Sequence, residues 1–315
     1  MDHSTPGDNT VSHNRGSLNV SVVIPALNEE RNLPHVFARL PEDVAQVVLV
    51  DGGSVDRTVA VARELRPDVV VLRQTRTGKG NALACGFAVC TGDVIVMIDA
   101  DGSTDPAEIP RFVAALVAGA DFVKGSRFAR GGYSHDITRL RKLGNDGLNL
   151  VVNLLFGTRF TDLCYGFNAF WRRVLPTLGL PATTLPPPLD GGKLWGDGFE
   201  IETMINIRAA ANGLRIGEVG SVEHPRLHGR TNLNTFRDGF RVLRTILSEY
   251  GRARAARRRP VAATGAKLAT AAPMVRRTVP LVHRVDARPP HAGHPVRAAR
   301  HRDDVRRGYR AALDD

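Results

Sequence analysis

The sequence lacks the features that mark disulfide-bonded, secreted and membrane-spanning proteins. Only three of its 315 residues are cysteine, and no two of them have the CxxC spacing. That content suits reduced thiols in the cytoplasm rather than a disulfide framework. No apolar run approaches the roughly 18–20 residues of a membrane span, and the polar first 17 residues contain no apolar leader. These absences predict a cytoplasmic protein.

Most of the chain also has no net charge. Residues 252–315 contain 16 basic and 5 acidic side chains and so carry the whole net charge of +11, whereas the first 251 residues contain 27 of each sign. The basic segment has no clear apolar period, so we predict that 251–315 is a mostly disordered tail and that 1–18 is disordered as well. The tail can attract anionic lipid, but we expect no specific nucleic-acid partner.

Between these ends, short apolar runs alternate with amphipathic segments. Strands are predicted at 19–25, 47–51, 69–73, 93–99 and 121–127, with helices at 29–40, 56–66, 78–90 and 106–119 between them. Further on, helices are predicted at 137–157, 198–213 and 231–250, a strand at 214–224 and a proline-rich loop at 183–194, and the segment 167–175 is predicted to begin as a strand and become a helix. The alternation predicts an α/β fold with a mostly parallel central sheet flanked by helices, in one domain over 19–250. No GxGxxG sequence follows the first strand, which disfavours a Rossmann dehydrogenase or methyltransferase.

The fourth predicted strand ends in two carboxylates, Asp99 and Asp101, with Ala100 between them. In an extended backbone, residues two apart point to the same side, so both carboxylates address one point beyond the sheet. In open α/β sheets the ligand crevice lies at this end of the strands. Hard divalent cations take oxygen ligands and keep substrate phosphates in their shell, so the pair predicts Mg²⁺ or Mn²⁺ holding a diphosphate. The spacing alone also fits a turn and a helix cap.

Three further motifs follow predicted strands and converge on the same crevice. PALNEE (25–30) follows the first strand, DGGSVDRT (51–58) the second and TGKGNAL (77–83) the third. In the last motif, the glycine at Gly78 allows close backbone approach, and Lys79 brings a cation near a phosphate.

With their spacing, these motifs resemble those of inverting family 2 glycosyltransferases with a GT-A fold, and in particular the dolichyl- and polyprenyl-phosphate sugar transferases. The resemblance covers about 19–250. It implies a metal-dependent hexosyltransferase that takes a GDP- or UDP-sugar donor and uses Mg²⁺ or Mn²⁺. The nucleotide-sugar contacts it implies are Pro25, Ala26, Asn28, Glu29, Asp51, Gly78, Lys79, Asp99, Ala100 and Arg226. The family's usual DDGS has Gly52 at its second position here, which leaves the donor base open.

The resemblance also assigns roles further along the chain. Gly125-Ser126-Arg127 matches the family's G-S-R, and implies that Arg127 clamps a phosphate, with Arg139 or Arg141 as a second candidate. The segment 223–233 implies that Arg226 closes over the diphosphate and that His228 assists a metal or phosphate. The candidate metal ligands are therefore Asp101, Asp99 and His228, with Asp101 the expected direct ligand.

The acceptor side of the resemblance is less complete. DLCYGFNAF (162–170) is similar to the family's D-x-x-S-G-F-R-A-F, but Tyr165 stands in place of Ser and Asn168 in place of Arg. These two differences leave the identity of the acceptor open.

Inverting transfer is a single in-line displacement at the anomeric carbon of the sugar. Departure of the nucleoside diphosphate needs stabilisation by a metal and arginines, which makes Asp101 and Arg127 candidate catalytic residues. A hydroxyl acceptor also needs a general base. The candidate is Asp197, which lies between two glycines before a predicted helix and is equally explained as the cap of that helix. A lipid phosphate acceptor is already anionic and needs no base.

Three functions stay open at this point. The first is sugar transfer to a polyprenyl or dolichyl phosphate. The helix predicted at 137–157 would then lie in the interface at the inner face of the membrane, giving peripheral contact, or simply face the core. The second is transfer to a soluble acceptor such as a phosphorylated small acid or a secondary metabolite. The third is a nucleotide-sugar-binding protein without catalysis, against which the intact Asp99 and Asp101 argue.

Overall fold

The computed structural model describes residues 18–229 and 235–258, whose centre is a seven-stranded sheet. The strands are β1 (Val20–Ala26), β2 (Gln46–Asp51), β3 (Val70–Arg73), β4 (Val94–Met97), β5 (Phe122–Ser126), β6 (Tyr133–Ser134), β7 (Asn168–Trp171), β8 (Ile216–Gly220) and β9 (Val222–Glu223). The order in the large sheet is β3-β2-β1-β4-β7-β5-β8, and β6 pairs with β9 in a separate two-stranded sheet. All five regular strands predicted in the first half are present.

The helices cover the sheet and fill the spaces between its strands. They are α1 (Leu33–Phe37), α2 (Thr58–Leu65), α3 (Lys79–Val89), α4 (Ile109–Val117), α5 (Arg139–Phe156), α6 (Leu175–Leu178), α7 (Ile201–Ala211) and α8 (Thr235–Arg258), with 3₁₀ turns at Pro106–Glu108 and Arg172–Val174. Every predicted helix is found, but α1 is much shorter than 29–40. None of the helices in 18–229 and 235–258 is long and apolar enough to cross a membrane.

The predicted disordered ends fall mostly outside the described residues. The exceptions are Leu18 and the end of α8, which continues to Arg258, eight residues beyond the predicted end at 250. Residues 251–258 read GRARAARR, and alanine and arginine are among the strongest helix formers. The beginning of the basic segment is therefore helical rather than part of a tail.

The direction of β7 brings a loop from the second half of the chain to the crevice. β1 pairs in parallel with β2 and β4, and β5 with β8, whereas β7 runs antiparallel between β4 and β5. The residues before Asn168 therefore lie at the same edge of the sheet as the residues after Met97. A Cβ added to Gly166 would lie 3.2 Å from a carboxylate oxygen of Asp99.

The strands are apolar on both faces, as expected for parallel strands covered by helices on each side. Ile24 of β1 packs in one buried cluster with Phe112 of α4, while Val23 packs in another with Val50. α3 approaches this second face through Gly86, where a Cβ would meet Val23 at 2.4 Å. Helix and sheet are thus close-packed directly behind the crevice.

Capping residues set both ends of the long helix α5. The side chain of Thr138 caps its first turn by accepting a hydrogen bond of 3.2 Å from the Arg141 amide. Gly157 ends it in the left-handed conformation with φ of 67°. A third buried cluster, which contains Val152 and Ile246, joins α5 to α8.

Candidate active site

The loops after β1 and β2 form one wall of the crevice. Asn28 is in the left-handed region with φ of 58°, a conformation that asparagine tolerates better than most residues. Its amide donates to Ser54 Oγ at 2.9 Å, and its side-chain oxygen accepts from the Val55 amide at 2.9 Å. The Glu29 amide donates to Thr58 Oγ1 at 2.8 Å. These reciprocal bonds fix the two loops to one another.

Three of the expected nucleotide contacts lie at the base of this wall. Pro25 and Ala26 end β1, and Ala26 is in register with Asp51 of β2. The Asp51 carboxylate accepts hydrogen bonds from the amides of Gly53 at 3.1 Å and Ser54 at 2.9 Å. Asp51 therefore shapes the loop after its own strand, and its contact with a nucleotide base stays a prediction.

Arg226 links the end of β1 to the carboxylate turn after β4. Its Nη1 lies 3.4 Å from Asp101 Oδ2, and its Nη2 forms a short ion pair with Glu29. Its Nε donates to the His228 carbonyl at 2.7 Å. Asn32 supports the same group, because its Nδ2 donates to Glu29 at 2.5 Å and to the His228 carbonyl at 3.2 Å. The structure thus brings Glu29, Asp101 and Arg226 together, as the sequence predicted.

His228 takes a different place from the one expected. Its carbonyl faces the cluster, whereas its ring packs against the ring of His35 with centroids 5.9 Å apart. The imidazole is therefore not gathered with Asp99 and Asp101. Within 18–229 and 235–258, no group of three or more His, Cys, Asp or Glu side chains is arranged to hold a metal. The predicted three-residue metal site is not formed by these residues alone.

Lys79, at the start of α3, forms the second charged group of the crevice. Its ammonium lies 2.5 Å from Asp99 Oδ1 and also pairs with Glu202 of α7. Burial disfavours the charge on Lys79, but the two carboxylates outweigh it and raise the pKa of the lysine. Burial, opposed by Lys79 and assisted by repulsion from Glu202 and Asp101, raises the pKa of Asp99 to about 6.

The donor set at Asp99 and Asp101 fits a divalent cation that is shared with a substrate. Two carboxylates supply hard oxygen ligands, and Mg²⁺ is commonly bound by one or two carboxylates plus phosphate oxygens and water. Asp101 is oriented by Ser103, whose amide and hydroxyl donate to Oδ1 at 3.0 and 2.7 Å. Its Oδ2 faces Arg226, whose Nη1 lies 3.4 Å away.

Asp197 is not placed as a general base. Its two oxygens accept hydrogen bonds of 2.7 and 2.9 Å from the guanidinium of Arg76, and Asp197 is only 1% exposed. A base needs a free oxygen within reach of the acceptor. Arg76 also donates to the carbonyls of Ala182 and Leu185 at 3.0 and 2.8 Å. The pair thus ties the proline-rich loop to the sheet, and we correct the expected catalytic role to a structural one.

The glycines of the GKG motif allow close contact with the backbone at Gly196 and Asp197, directly after the proline-rich loop. A Cβ on Gly78 would lie 2.1 Å from the Asp197 carbonyl, and one on Gly80 would lie 1.9 Å from the Gly196 carbonyl. The Gly80 amide donates to the Asp197 carbonyl at 2.8 Å. The close backbone approach predicted for this motif is therefore an approach to the protein's own loop. Lys79, between the glycines, is the part that faces the carboxylates.

Arg127 is also held by the protein itself. It forms bonds of 2.7 and 2.9 Å with Asp162 and of 3.0 and 3.1 Å with Glu223. Burial disfavours its charge, but these carboxylates prevail and raise the pKa of Arg127. Arg127 also lines a cavity next to the crevice. Its expected role as a phosphate clamp stays a prediction, since a phosphate would have to displace one of these carboxylates.

A cavity of about 200 Å³ lies next to the crevice, between α5, α7 and α8. Its lining is part apolar and part charged, and includes Ile137, Arg141, Asn145, Leu148, Phe199 and Glu202. Because Glu202 also pairs with Lys79, the cavity adjoins the carboxylate centre directly. Of the two second candidates for a phosphate clamp, Arg141 lines the cavity and Arg139 is not among the lining residues.

Asn145 is the unusual residue of this cavity. It is 4% exposed, and neither its amide nitrogen nor its carbonyl oxygen has a hydrogen-bond partner among the described residues. Buried polar groups are nearly always hydrogen-bonded, and one left unpaired costs free energy. A carboxamide of this kind on a cavity wall is able to donate and accept hydrogen bonds with a polar group inside the cavity.

The two positions that differ from the family motif are part of the core. Tyr165 is buried, and its hydroxyl shares a hydrogen bond of 2.9 Å with Ser221. Asn168 is fully buried in β7, where its Nδ2 lies 3.3 Å from the Gly166 carbonyl. Neither side chain lines the cavity. These differences therefore affect packing behind the site rather than the lining of the cavity.

Sequence reasoning assigned no role to three residues of this region: Arg76, Glu202 and Asn145. Glu202 comes two residues after Glu200 at the start of a predicted helix, and spacing alone does not separate them. Arg76 precedes the GKG motif, which was a usable signal. Asn145 lies in a helix that carries three other asparagines or glycines within five residues, at positions 144, 147 and 149, and nothing distinguished it.

Comparison with known proteins agrees with the geometry. The model of a protein family described as glycosyl transferase family 2 matches residues 21–179. The chain is 34% identical to the polyprenol monophosphomannose synthase of Mycolicibacterium smegmatis, over 63% of this chain and 74% of that protein. It is 31% identical to glycosyltransferase AglJ of Haloferax volcanii, over 70% of this chain and 68% of that protein. The chain therefore belongs to glycosyl transferase family 2.

A solved structure extends the comparison to three dimensions. Glucosyl-3-phosphoglycerate synthase from Mycobacterium tuberculosis, in complex with Mn²⁺, uridine diphosphate and glucosyl-3-phosphoglycerate, matches with a TM-score of 0.58. The identity is 25%, over 74% of this chain and 80% of that chain. The predicted GT-A fold and the assignment as a glycosyltransferase are confirmed.

Proposed function

We propose that the protein transfers a sugar from a nucleotide-diphospho-sugar to a polyprenyl phosphate, with inversion at the anomeric carbon. The observation that carries this proposal is the cavity beside the carboxylate centre, because it combines apolar walls with Arg141 and the unpaired amide of Asn145. That combination suits an acceptor with a phosphate and a hydrocarbon chain. The similarity to the polyprenol monophosphomannose synthase supports the same class of acceptor.

On the donor side, the loops after β1 and β2 hold the nucleoside, and Asp99 and Asp101 would hold the diphosphate through a divalent cation. A Mg²⁺ or Mn²⁺ ion bound by these two carboxylates supplies charge neutralisation of the diphosphate leaving group. Arg226 and Lys79 add two cations at the same place, each close to one of the carboxylates. When a diphosphate enters, we expect both cations to turn from their carboxylate partners toward its oxygens.

On the acceptor side, Asn145 donates a hydrogen bond from its amide to a phosphate oxygen, and Arg141 neutralises the phosphate. One phosphate oxygen forms a bond to the anomeric carbon while the bond from that carbon to the donor's β-phosphate oxygen breaks. The electron pair leaves with the nucleoside diphosphate, and no proton is transferred. This chemistry agrees with the absence of an accessible carboxylate at Asp197, the expected base.

The lipid acceptor places the reaction at a membrane. We propose a cytoplasmic enzyme in peripheral contact with the inner face of the membrane, since polyprenyl phosphates are anchored there by their chains. Both UDP- and GDP-sugars stay candidate donors, because Gly52 in place of the family's usual aspartate leaves the base open.

The test is a matrix of donors and acceptors with the purified full chain and Mn²⁺ or Mg²⁺. UDP- and GDP-linked hexoses, each labelled in the sugar, are crossed with a polyprenyl phosphate in detergent, with 3-phosphoglycerate and with no acceptor. We expect label in the organic extract with the polyprenyl phosphate and metal only. Label on 3-phosphoglycerate instead would establish the soluble-acceptor alternative, which the likeness to glucosyl-3-phosphoglycerate synthase favours. The absence of both transfer and hydrolysis with every donor would overturn the proposal.

A further inference from the structure

Helix α5 carries a stripe of exposed leucines on the side away from the core. Leu140, Leu143, Leu150 and Leu154 are 54, 69, 60 and 75% exposed. Their spacings of three, seven and four residues place them on one face of a helix with 3.6 residues per turn. The opposite face carries the buried Val152. Single exposed leucines are ordinary, but a continuous apolar stripe marks an interaction surface.

The neighbouring helix α8 extends this surface. α5 and α8 lie side by side, since Val152 and Ile246 share a buried cluster and the rings of Phe156 and Tyr250 meet edge to face at 5.7 Å. α8 also exposes large apolar side chains, at Phe240 and Leu247. We call the leucine stripe of α5 together with Phe240 and Leu247 the α5–α8 face.

The charges of α8 are mostly positive. Between Arg237 and Arg257 the helix carries six arginines, at positions 237, 241, 244, 252, 254 and 257, and two acids, Asp238 and Glu249. Asp238 pairs with Arg241, and Glu249 pairs with Arg208 of α7 and lies 4.0 Å from Arg252, so arginines stay in excess. An apolar face beside an excess of arginine is complementary to a membrane that contains anionic lipid.

On both helices, residues that line the cavity are next to residues of this face. Gly144 lines the cavity and is itself exposed, and it follows Leu143 of the stripe directly. On α8, Gly239 lines the cavity and precedes the exposed Phe240. The α5–α8 face and the lining of the cavity therefore adjoin along both helices. A lipid whose phosphate lies at Asn145 would lead its chain out over these residues.

We propose that the α5–α8 face docks on an anionic lipid bilayer and presents the opening of the cavity to it. The two helices lie in the plane of the interface, with the leucines and Phe240 among the acyl chains and the arginines at the headgroups. The inference rests on the proposed function for the identity of the acceptor, but it makes a separate claim about the surface. It requires no membrane-spanning segment, and no described helix is one.

The test measures flotation of the full chain with vesicles of phosphatidylcholine and phosphatidylglycerol. The double variant Leu143→Lys with Leu150→Lys alters the centre of the stripe, and neither residue lines the cavity. The control double variant is Val117→Lys with Leu189→Lys, at two apolar residues that are 62 and 107% exposed elsewhere on the surface. Both variants add the same charge to exposed positions. We expect the stripe variant to bind vesicles at least about tenfold more weakly and the control to bind like the parent.

Measurements at high salt distinguish binding by this surface from binding by the arginines beyond residue 258, whose charge alone attracts anionic vesicles. At about 0.5 M salt, where charges are screened within a few ångströms, residual binding should depend on the leucines. Equal binding of both variants under these conditions would overturn the inference. A parent protein that sediments as a dimer, and a stripe variant that sediments as a monomer, would also overturn it, because the face would then bind a second copy of this chain.

Activity separates this inference from the proposed function. With a short, water-soluble prenyl phosphate, the stripe variant should retain the parent's rate, whereas with polyprenyl phosphate in vesicles its rate should fall about tenfold. If vesicle binding depends on the leucines but no prenyl phosphate accepts the sugar, the docking of the α5–α8 face is supported and the proposed acceptor is refuted. If prenyl phosphates accept the sugar but vesicle binding does not depend on the leucines, the proposed acceptor is supported and the docking of the α5–α8 face is refuted.

Discussion

The carboxylate of Asp197 and the guanidinium of Arg76 form a buried, two-pronged ion pair, with N–O distances of 2.7 and 2.9 Å. Both residues come from segments next to the crevice, but they face each other rather than the crevice. A buried ion pair is weak evidence for net stability, since desolvation offsets the attraction. Loss of one partner is different, because it leaves the other charge buried and alone.

Removal of the Asp197 carboxylate should therefore unfold the protein more easily. We expect Asp197→Ala to lower the free energy of unfolding by about 3–5 kcal/mol, measured by chemical denaturation. Arg76→Met combined with Asp197→Leu should cost much less, because no buried charge is left unpaired. If Asp197 were instead the catalytic base, Asp197→Asn would abolish kcat while the stability changed little.

The carboxylate of Asp101 should be needed for metal-dependent binding of the donor. We expect Asp101→Ala to weaken UDP binding in the presence of Mn²⁺ by at least about tenfold, since a ligand of the cation is lost. Binding without metal should change little. Titration calorimetry with and without Mn²⁺ measures both quantities, and Asp68→Asn, at an exposed carboxylate distant in sequence, is the control. An undiminished metal effect in Asp101→Ala would refute the assignment.

Two helical glycines should respond to alanine in opposite directions. A Cβ on Gly80 would lie 1.9 Å from the Gly196 carbonyl, whereas one on Gly147 of α5 meets nothing within 4 Å. We expect Gly80→Ala to destabilise the protein by about 3 kcal/mol through overpacking against backbone. Gly147→Ala should stabilise it by about 0.5–1 kcal/mol through helix propensity. Thermal unfolding of both variants tests the pair, and a tolerated Gly80→Ala would contradict the close approach of the loop.

The regular part of the fold was predictable because local patterns set it. Short apolar runs such as Val94–Met97 have one way to be buried on both faces, and the segments between them are helical by period. The antiparallel direction of β7 was not predictable, since strand direction depends on how a connection crosses the sheet. The length of α8 was missed because an arginine-rich segment was interpreted by composition, although its alanines and arginines favour a helix.

The candidate site was predictable only where a residue follows a strand. Asp99, Asp101, Glu29 and Lys79 come after parallel strands, and parallel strands bring their carboxyl ends to one edge. The partners of Arg127 and Asp197 are distant in sequence, so their pairing depends on tertiary packing that no local pattern carries. For the same reason Asn145 was not predictable. Its side chain lies on the wall of a cavity that three helices form together, and it is without a partner among the described residues.

The stability of the protein should fall in acid through Glu249. This carboxylate is buried, which opposes its charge, but bonds from Arg208 at 2.9 and 3.0 Å and from Trp195 at 2.7 Å prevail and lower its pKa from 4.5. Because the folded-state pKa lies below the unfolded one, its contribution is complete above the unfolded pKa and disappears as the pH falls through the folded pKa.

Glu249→Gln should therefore reduce the dependence of unfolding free energy on pH below about 4.5. Urea denaturation of parent and variant across this acid range measures the slope. The control is Glu64→Gln, at an exposed carboxylate that pairs with Arg57 at the surface, and it should leave the slope unchanged. A variant slope equal to the parent's would show that Glu249 does not titrate with folding.

Asn145 should lower the stability of the protein and strengthen its binding of the acceptor. Its amide is buried without a partner among the described residues, and such a group costs about 1–3 kcal/mol. We expect Asn145→Leu, which replaces the amide by apolar atoms of similar size, to raise the free energy of unfolding by a comparable amount. The same variant should raise the KM for prenyl phosphate at least about tenfold, because a hydrogen bond to a charged group is lost, while donor affinity stays the same. A variant that is less stable than the parent, with an unchanged KM, would mean that the amide is satisfied within the protein and binds no acceptor.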